Sequence, residues 1–235
     1  MEDRLRELWD FADLDGTEAR FRAFLGEVGT DDERAEVLTQ LARVEGLREN
    51  FAAGHALVDE AETLVAPDST GRVRALLERG RLHRSAGDAE AAQPLFVAAF
   101  VLAKTRGDLS LAVDAAHMAS LVDDPEKWTR QGLELVVANP ELVRWLGPLH
   151  NNLGWFYYEN GRYDEALDAF EKTPEAYAES GKAKTLHALG RTAEAAEAAR
   201  RALEFLPHDS HDEWVEEMEA IAAGSQAPPP RPDAP

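Results

Sequence analysis

The sequence predicts an all-α protein built from repeated helical hairpins, and three observations lead to this fold class. Apolar residues recur at helical spacing along almost all of the 235 residues, and no segment alternates convincingly as a strand. A unit of similar length recurs about five times in the middle of the chain. One position of that unit always holds a small residue, which would let two helices approach closely. The five residues are Ala42, Gly80, Ala116, Gly154 and Ala183.

The first segment, residues 1–34, is expected to form N-terminal capping helices. Leu5, Leu8 and Trp9 share one helical face. Further along, two residue pairs have the spacing of a capping box, in which the side chains at a helix start satisfy free backbone N–H groups. The pairs are Asp15 with Glu18 and Thr30 with Glu33. We therefore expect helices to begin at Asp15 and at Thr30.

The stretch Asp13-Leu14-Asp15-Gly16-Thr17 matches the DxDGT signature of the haloacid-dehalogenase-like phosphatases letter for letter. In that family the first aspartate is a phosphoryl-accepting nucleophile at the end of a buried parallel strand. Here a helical stripe precedes and follows the motif, and nothing downstream alternates strands with helices as that fold requires. The motif is therefore interpreted as a helix start, and we expect no phosphatase chemistry at Asp13.

The repeated unit is clearest in residues 149–172, LHNNLGWFYYENGRYDEALDAFEK. Gly154 and Ala166 are small enough for two helices to pack closely, and Gly161 permits a tight turn between them. The aromatic residues expected to fill the space left by the crossing are Tyr157, Tyr163 and Phe170. This segment resembles a tetratricopeptide repeat, a helix–turn–helix unit of about 34 residues. The resemblance implies a right-handed solenoid of helical hairpins.

The same frame covers residues 35–209 in about five tetratricopeptide-like units, which begin near residues 35, 73, 109, 147 and 176. In the first unit Glu49 replaces the turn glycine. In the weakest unit, residues 109–142, Trp128 and Gly132 do not fit the pattern. The last step is short, and Pro174 is expected to end a helix early.

The end of the chain is expected to close the solenoid. Residues 210–224 are predicted to form a C-terminal capping helix, which begins with a capping box at Ser210–Glu213. The Pro-rich residues 225–235 have no apolar anchors, and we expect them to form a disordered tail.

Composition limits the classes of partner and the compartment. The chain carries 45 acidic and 25 basic residues, a formal net charge of −20, and no cysteine. Such a charge repels nucleic-acid phosphates and anionic lipid headgroups, so neither nucleic acid nor a membrane is expected as a partner. No apolar segment approaches the roughly 20 residues that span a membrane, and the first residues do not form an export signal. The expected localisation is cytoplasmic.

Tetratricopeptide-like stacks usually bind peptides in a concave groove lined by the first helix of each unit, and this resemblance implies the candidate site. The inward positions are the second, fifth, ninth and twelfth of each unit. The groove residues predicted in this way are Arg43, Arg74, Arg81, Arg84, His117, Asn151, Trp155, Tyr158, Lys184 and His187. Glu36 is the sole acidic residue at these positions, although the chain as a whole is acidic. We therefore expect a groove that attracts anions, with amide and aromatic contacts in its middle.

These observations favour a non-catalytic protein-interaction module or scaffold that binds an acidic peptide or protein segment. No residues assemble a nucleophile, a base and an orienting group, so we expect no enzyme activity, cofactor or metal. Three alternatives stay open: a small-ligand sensor around Trp155, Tyr158 and His117, a homo-oligomeric adaptor, and a groove that is not used. The family's clamp for chaperone C-termini is not supported, because Trp155 stands where an asparagine is expected.

Overall fold

The computed structural model describes residues 2–173, 178–205 and 213–224, and every regular element in these ranges is helical. The α-helices are α1 (Glu2–Glu7), α2 (Leu14–Leu25), α3 (Asp31–Leu47), α4 (Phe51–Leu64), α5 (Thr70–Ser85), α6 (Ala89–Arg106), α7 (Leu109–Ala119), α8 (Pro125–Ala138), α9 (Leu146–Glu159), α10 (Tyr163–Glu171), α11 (Ala178–Ala188), α12 (Thr192–Glu204) and α13 (Glu213–Ala222). A 3₁₀ helix spans Pro140–Trp145. The predicted all-α fold of helical hairpins is confirmed.

The chain divides into an N-terminal unit, Met1–Asp124, and a C-terminal unit, Pro125–Pro235. In the N-terminal unit α3 pairs with α4 and α5 pairs with α6 as antiparallel hairpins. The first helices of the repeats, α3, α5 and α7, pack side by side. The boundary between the units falls between α7 and α8, inside the predicted repeat 109–142 that fitted the pattern least well.

The C-terminal unit repeats this arrangement. Helices α9 and α10 form one hairpin and α11 and α12 form the next, while α9, α11 and α13 pack in succession. Met218 and Ile221 of α13 are buried against alanines of α12. Three predictions concern residues that lie wholly or partly outside the described ranges. They are the capping box at Ser210–Glu213, the helix end at Pro174 and the tail 225–235.

The small residues of the repeat allow the close helix packing that the sequence predicts. A Cβ atom at Gly80 would lie 2.5 Å from Phe96 Cε1, and one at Gly154 would lie 2.6 Å from Phe170 Cε1. Both phenylalanines are fully buried. A second-helix aromatic ring therefore takes the space that a larger residue at the first helix would need.

The turns inside the hairpins α3–α4 and α9–α10 each use a residue in the left-handed region. Gly161, between α9 and α10, has φ +70°, which glycine adopts without steric cost. Glu49 occupies the corresponding turn between α3 and α4 with φ +62°. The replacement noted in the sequence is thus a true departure, because an L-residue is held there in a backbone region that it disfavours.

The N-terminal segment differs from the prediction in its details. Asp13 and not Asp15 caps α2, because the Asp13 carboxylate accepts a hydrogen bond from the Gly16 backbone N–H at 2.8 Å. Asp15 lies in the first turn and pairs with Arg48 instead. The DLDGT motif is therefore a helix start, as predicted, with the cap two residues earlier. The capping box at Thr30 is present, so α3 begins at Asp31, inside the predicted capping segment 1–34.

No helix within the described ranges combines the length and apolar character that a membrane crossing requires.

Candidate functional site

Helical spacing aligns polar side chains on one face of the first helices in the N-terminal unit. Residues one and two turns apart along a helix share a face, and the neighbouring helices place equivalent positions side by side. We call this set the arginine face. It consists of Glu36, Gln40 and Arg43 in α3, Arg74, Glu78 and Arg81 in α5, and Asp114 and His117 in α7.

Arg74 is paired within the arginine face. Its Nε donates to Glu36 Oε2 at 2.8 Å, and both side chains are buried. Burial raises the pKa of Glu36, and the charge of Arg74 acts in the opposite direction. Arg74 therefore joins α5 to α3 and does not present a free guanidinium to a ligand.

Arg81 is also paired, with two carboxylates from two helices. Its Nη2 donates to both Asp114 oxygens at 2.6 Å, and its Nη1 donates to Glu78 Oε1. Burial would raise the pKa of Asp114, but the positive charges of Arg81 and Arg43 outweigh it and hold that pKa below its usual value. This bidentate pair connects α5 to α7 and orients the whole row.

Arg43 differs from these two arginines. Within the described residues, no carboxylate lies within ion-pair distance of its guanidinium. The group lies instead over the Trp9 and Phe11 rings, 5.6 and 5.7 Å from their centroids. Burial and the nearby charge of Arg81 lower the pKa of Arg43.

An acceptor on the same face also lacks a partner. Glu78 is only 3% exposed, and its Oε2 receives no hydrogen bond from any described residue. A buried carboxylate oxygen without a donor is unfavourable by roughly 1–3 kcal/mol. The arginine face thus holds one unused cation and one unused acceptor.

The remaining predicted residues of this unit lie at the C-terminal ends of their helices. Arg84 is exposed on α5 and forms no ion pair with a described side chain. His117 is partly buried, and burial lowers its pKa to about 4, so its imidazole is neutral at pH 7. Across the described ranges, no three His, Asp or Glu side chains are grouped so that they could hold a metal ion.

In the C-terminal unit the structure brings Trp155, Tyr158 and Lys184 together. The Trp155 ring meets the Tyr158 and Phe170 rings edge-on, with centroids 5.7 and 5.3 Å apart. The Lys184 ammonium lies 5.7 Å from the centroids of both Trp155 and Tyr158, and it also donates to Glu217 Oε2 at 2.9 Å. The two rings are half-buried, so they contribute to packing and also keep an accessible surface.

The other two predicted residues of this unit lie nearby along the same helices. Asn151 is partly buried on α9, and its Oδ1 receives no hydrogen bond from a described residue. His187 is partly buried near the end of α11.

The expectation of a groove almost free of acidic residues is corrected. Glu78 and Asp114 pair with Arg81, and Glu217 pairs with Lys184. None of these three acidic residues was among the predicted groove positions. Glu78 and Asp114 occupy the sixth position of their units, which was left out of the inward set. The spacing contained a signal, because Glu78 lies four residues after Arg74 and three before Arg81, on the same helical face.

Comparison with known proteins identifies the repeats of the C-terminal unit. Residues 147–173 and residues 176–201 each match a family model described as a tetratricopeptide repeat. A search of curated proteins found no match for the chain. The first range covers the hairpin of α9 and α10, and the second covers most of the hairpin of α11 and α12. The C-terminal unit therefore contains two tetratricopeptide repeats.

Proposed function

We propose that the chain is a protein-interaction module whose arginine face binds an acidic segment of a partner protein. Tetratricopeptide repeats generally mediate protein–protein interactions. The observation that carries the finer proposal is the guanidinium of Arg43, which has no carboxylate partner although the neighbouring Arg74 and Arg81 each have one.

Charge balance supports a single incoming carboxylate. Arg74 and Glu36 neutralise each other. The other charged members of the face also balance, since two guanidinium groups (Arg43 and Arg81) stand against two carboxylates (Glu78 and Asp114). An excess of one positive charge comes from exposed Arg84, which lies three residues after Arg81 on α5. In a chain with a net charge of −20, this local excess favours an anion here and disfavours it elsewhere on the surface.

The unpaired guanidinium suits a carboxylate side chain. Such a group can accept from Arg43 in a fork of two hydrogen bonds. Glu78 Oε2 is buried and lies out of reach of a ligand, so the proposal rests on the guanidinium alone.

The role of the predicted arginines changes accordingly. Arg74 and Arg81 hold Glu36, Glu78 and Asp114 in place and fix the geometry of the arginine face. Arg43 contacts the ligand directly, and exposed Arg84 adds longer-range attraction. This division differs from a groove in which every arginine binds the ligand.

The C-terminal unit supplies a second contact surface in this proposal. Trp155 and Tyr158 offer half-buried aromatic area to such a contact. Aromatic side chains provide much of the binding energy in many interfaces. The residue set agrees with binding of a polypeptide at each unit separately.

Selection from a random peptide library on the immobilised full-length chain tests the proposal. We expect the retained peptides to be enriched in Asp and Glu, and to be lost in the Arg43→Gln variant. Loss of one charge-assisted hydrogen-bonded contact weakens binding at least tenfold. Added salt should also weaken it, since exposed charges are screened over about 10 Å at 0.1 M.

The matched control is Arg200→Gln. This substitution removes one positive charge from an exposed residue of α12, which has no ion pair with a described side chain. It should leave selection unchanged. Enrichment without acidic residues, or equal retention by the wild type and Arg43→Gln, would show that the arginine face is not the binding surface.

A further inference from the structure

The segment that precedes the repeats borders the arginine face. Trp9 Nε1 donates to Gln40 Oε1 at 2.9 Å, and the rings of Trp9 and Phe11 lie beside the Arg43 guanidinium. Nothing in the repeat pattern predicts this contact, because residues 9 and 11 come before the first repeat. The side of the face next to Arg43 is therefore aromatic.

Helix α2 holds this segment in place. The Thr17 hydroxyl accepts from the Asp10 backbone N–H and donates to the Asp10 carbonyl, with both distances 2.9 Å. Arg20 Nε donates to the Leu8 carbonyl at 2.9 Å. Thr17 is fully buried. The backbone is consequently anchored on both sides of Trp9, directly before Phe11.

Phe11 offers that surface to solvent. Its ring stacks on Trp9 with centroids 4.8 Å apart and an interplanar angle of 12°, yet 62% of the residue is exposed. A large aromatic ring this exposed, beside a cation without a carboxylate partner, presents an apolar and a positively charged group together. The positive charge of Arg43 favours binding of an anion, and the exposed ring favours an apolar group next to that anion.

We infer that Phe11 and Arg43 form a two-part subsite for an acidic residue that lies next to an aromatic or large aliphatic residue in a partner protein. The carboxylate pairs with Arg43 while the neighbouring side chain packs on Phe11. This inference rests on the proposed function, because it assumes that a partner carboxylate binds Arg43. It adds a sequence preference in the ligand and a binding role for a segment outside the repeats.

The same library selection tests the subsite, with Phe11→Ala as the variant. We expect wild-type selection to enrich peptides with an aromatic or large aliphatic residue adjacent to Asp or Glu. Selection on Phe11→Ala should keep the acidic residue and lose that neighbour preference. For the best wild-type peptide, measured by fluorescence anisotropy, Phe11→Ala should weaken binding about fivefold. Phe11→Tyr keeps the ring and should bind like the wild type.

Phe205→Ala is the matched control, because Phe205 is 63% exposed and lies in the C-terminal unit. It should not change affinity. Acidic peptides that depend on Arg43 but show no neighbour preference, or equal affinity in Phe11→Ala, would overturn the subsite and leave the proposed function standing. Selection independent of Arg43 would overturn both. A dimer by light scattering that Phe11→Ala converts to a monomer would assign Phe11 to self-association and also overturn the subsite.

Discussion

Substitution of Gly154 by alanine tests the close packing that defines the repeat. The new methyl carbon would lie 2.6, 2.8 and 2.9 Å from Cε1, Cδ1 and Cζ of Phe170. Carbon atoms in contact normally lie about 3.5–4.0 Å apart, so the ring would have to move by about 1 Å. Phe170 is fully buried, and Gly181 of α11 borders the same ring so closely that a Cβ there would also clash. The ring has little room to retreat.

The expected effect is a net loss of stability. Overpacking of a core costs about 1–3 kcal/mol, and the higher helix propensity of alanine returns about 1 kcal/mol. We expect Gly154→Ala to lower the free energy of unfolding by about 1 kcal/mol, measured by urea denaturation with circular dichroism and tryptophan fluorescence. Gly29→Ala is the control, because no described atom lies within 4 Å of the added methyl. It should be neutral or stabilising.

A double-mutant cycle identifies the cause of the loss. In a Phe170→Leu background the smaller side chain removes the ring that the methyl would meet, so the penalty of Gly154→Ala should shrink by more than about 0.5 kcal/mol. A Gly154→Ala variant as stable as the wild type would refute this reasoning. So would an unchanged penalty in the Phe170→Leu background.

Three further predictions concern the N-terminal unit. Glu49→Gly should stabilise the chain by about 0.5–1 kcal/mol, because glycine adopts the left-handed backbone at φ +62° without steric cost. A melting temperature of Glu49→Gly no higher than that of Glu49→Ala would contradict this. Asp13→Ala should lower the free energy of unfolding by about 1 kcal/mol, because it removes a helix cap. Asp15→Ala should lower it by less than half of that, because the ion pair of Asp15 with Arg48 is at the surface. Equal urea midpoints for the two variants would argue against Asp13 as the cap. His117 has a folded pKa of about 4 against an ordinary 6.5, so between these pH values the unfolded chain binds a proton that the folded chain does not, and stability falls as pH falls. His117→Gln should make that fall shallower by up to about 1.4 kcal/mol per pH unit in urea titrations at stepped pH, and parallel pH curves would exclude the residue as the cause.

The helical hairpins could be predicted from the sequence because their determinants are local. Apolar spacing marks each helix, and the small residue opposite a later phenylalanine marks the crossing, as at Gly154 and Phe170. The unusual turn at Glu49 was visible for the same reason: the position of the turn follows from the frame of the repeat. The cap of α2 was misplaced because Asp13 and Asp15 both lie close to the helix start, and spacing alone does not distinguish them.

The candidate site could be predicted only in part. The repeat frame placed Arg43 and Arg81 at equivalent positions of the neighbouring helices α3 and α5, and Arg74 two turns before Arg81 on α5. The frame did not predict the hydrogen bonds between Arg81 and Asp114, which lie 33 positions apart in the sequence. Equivalent positions in a repeat predict alignment of helices, but hydrogen-bond partners depend on the separation and rotation of those helices.

The sequence by itself determined which segments are helical, where most of them turn, and which faces carry arginine, since helical periodicity acts over a few residues. Only the tertiary structure decided which charges remain unpaired. Arg43 has no carboxylate partner because Asp114 and one oxygen of Glu78 pair with Arg81, and because the segment with Trp9 and Phe11 places rings beside it and not an acid. Electrostatic pairing is set by distances between side chains remote in sequence, and those distances exist only once the helices have packed.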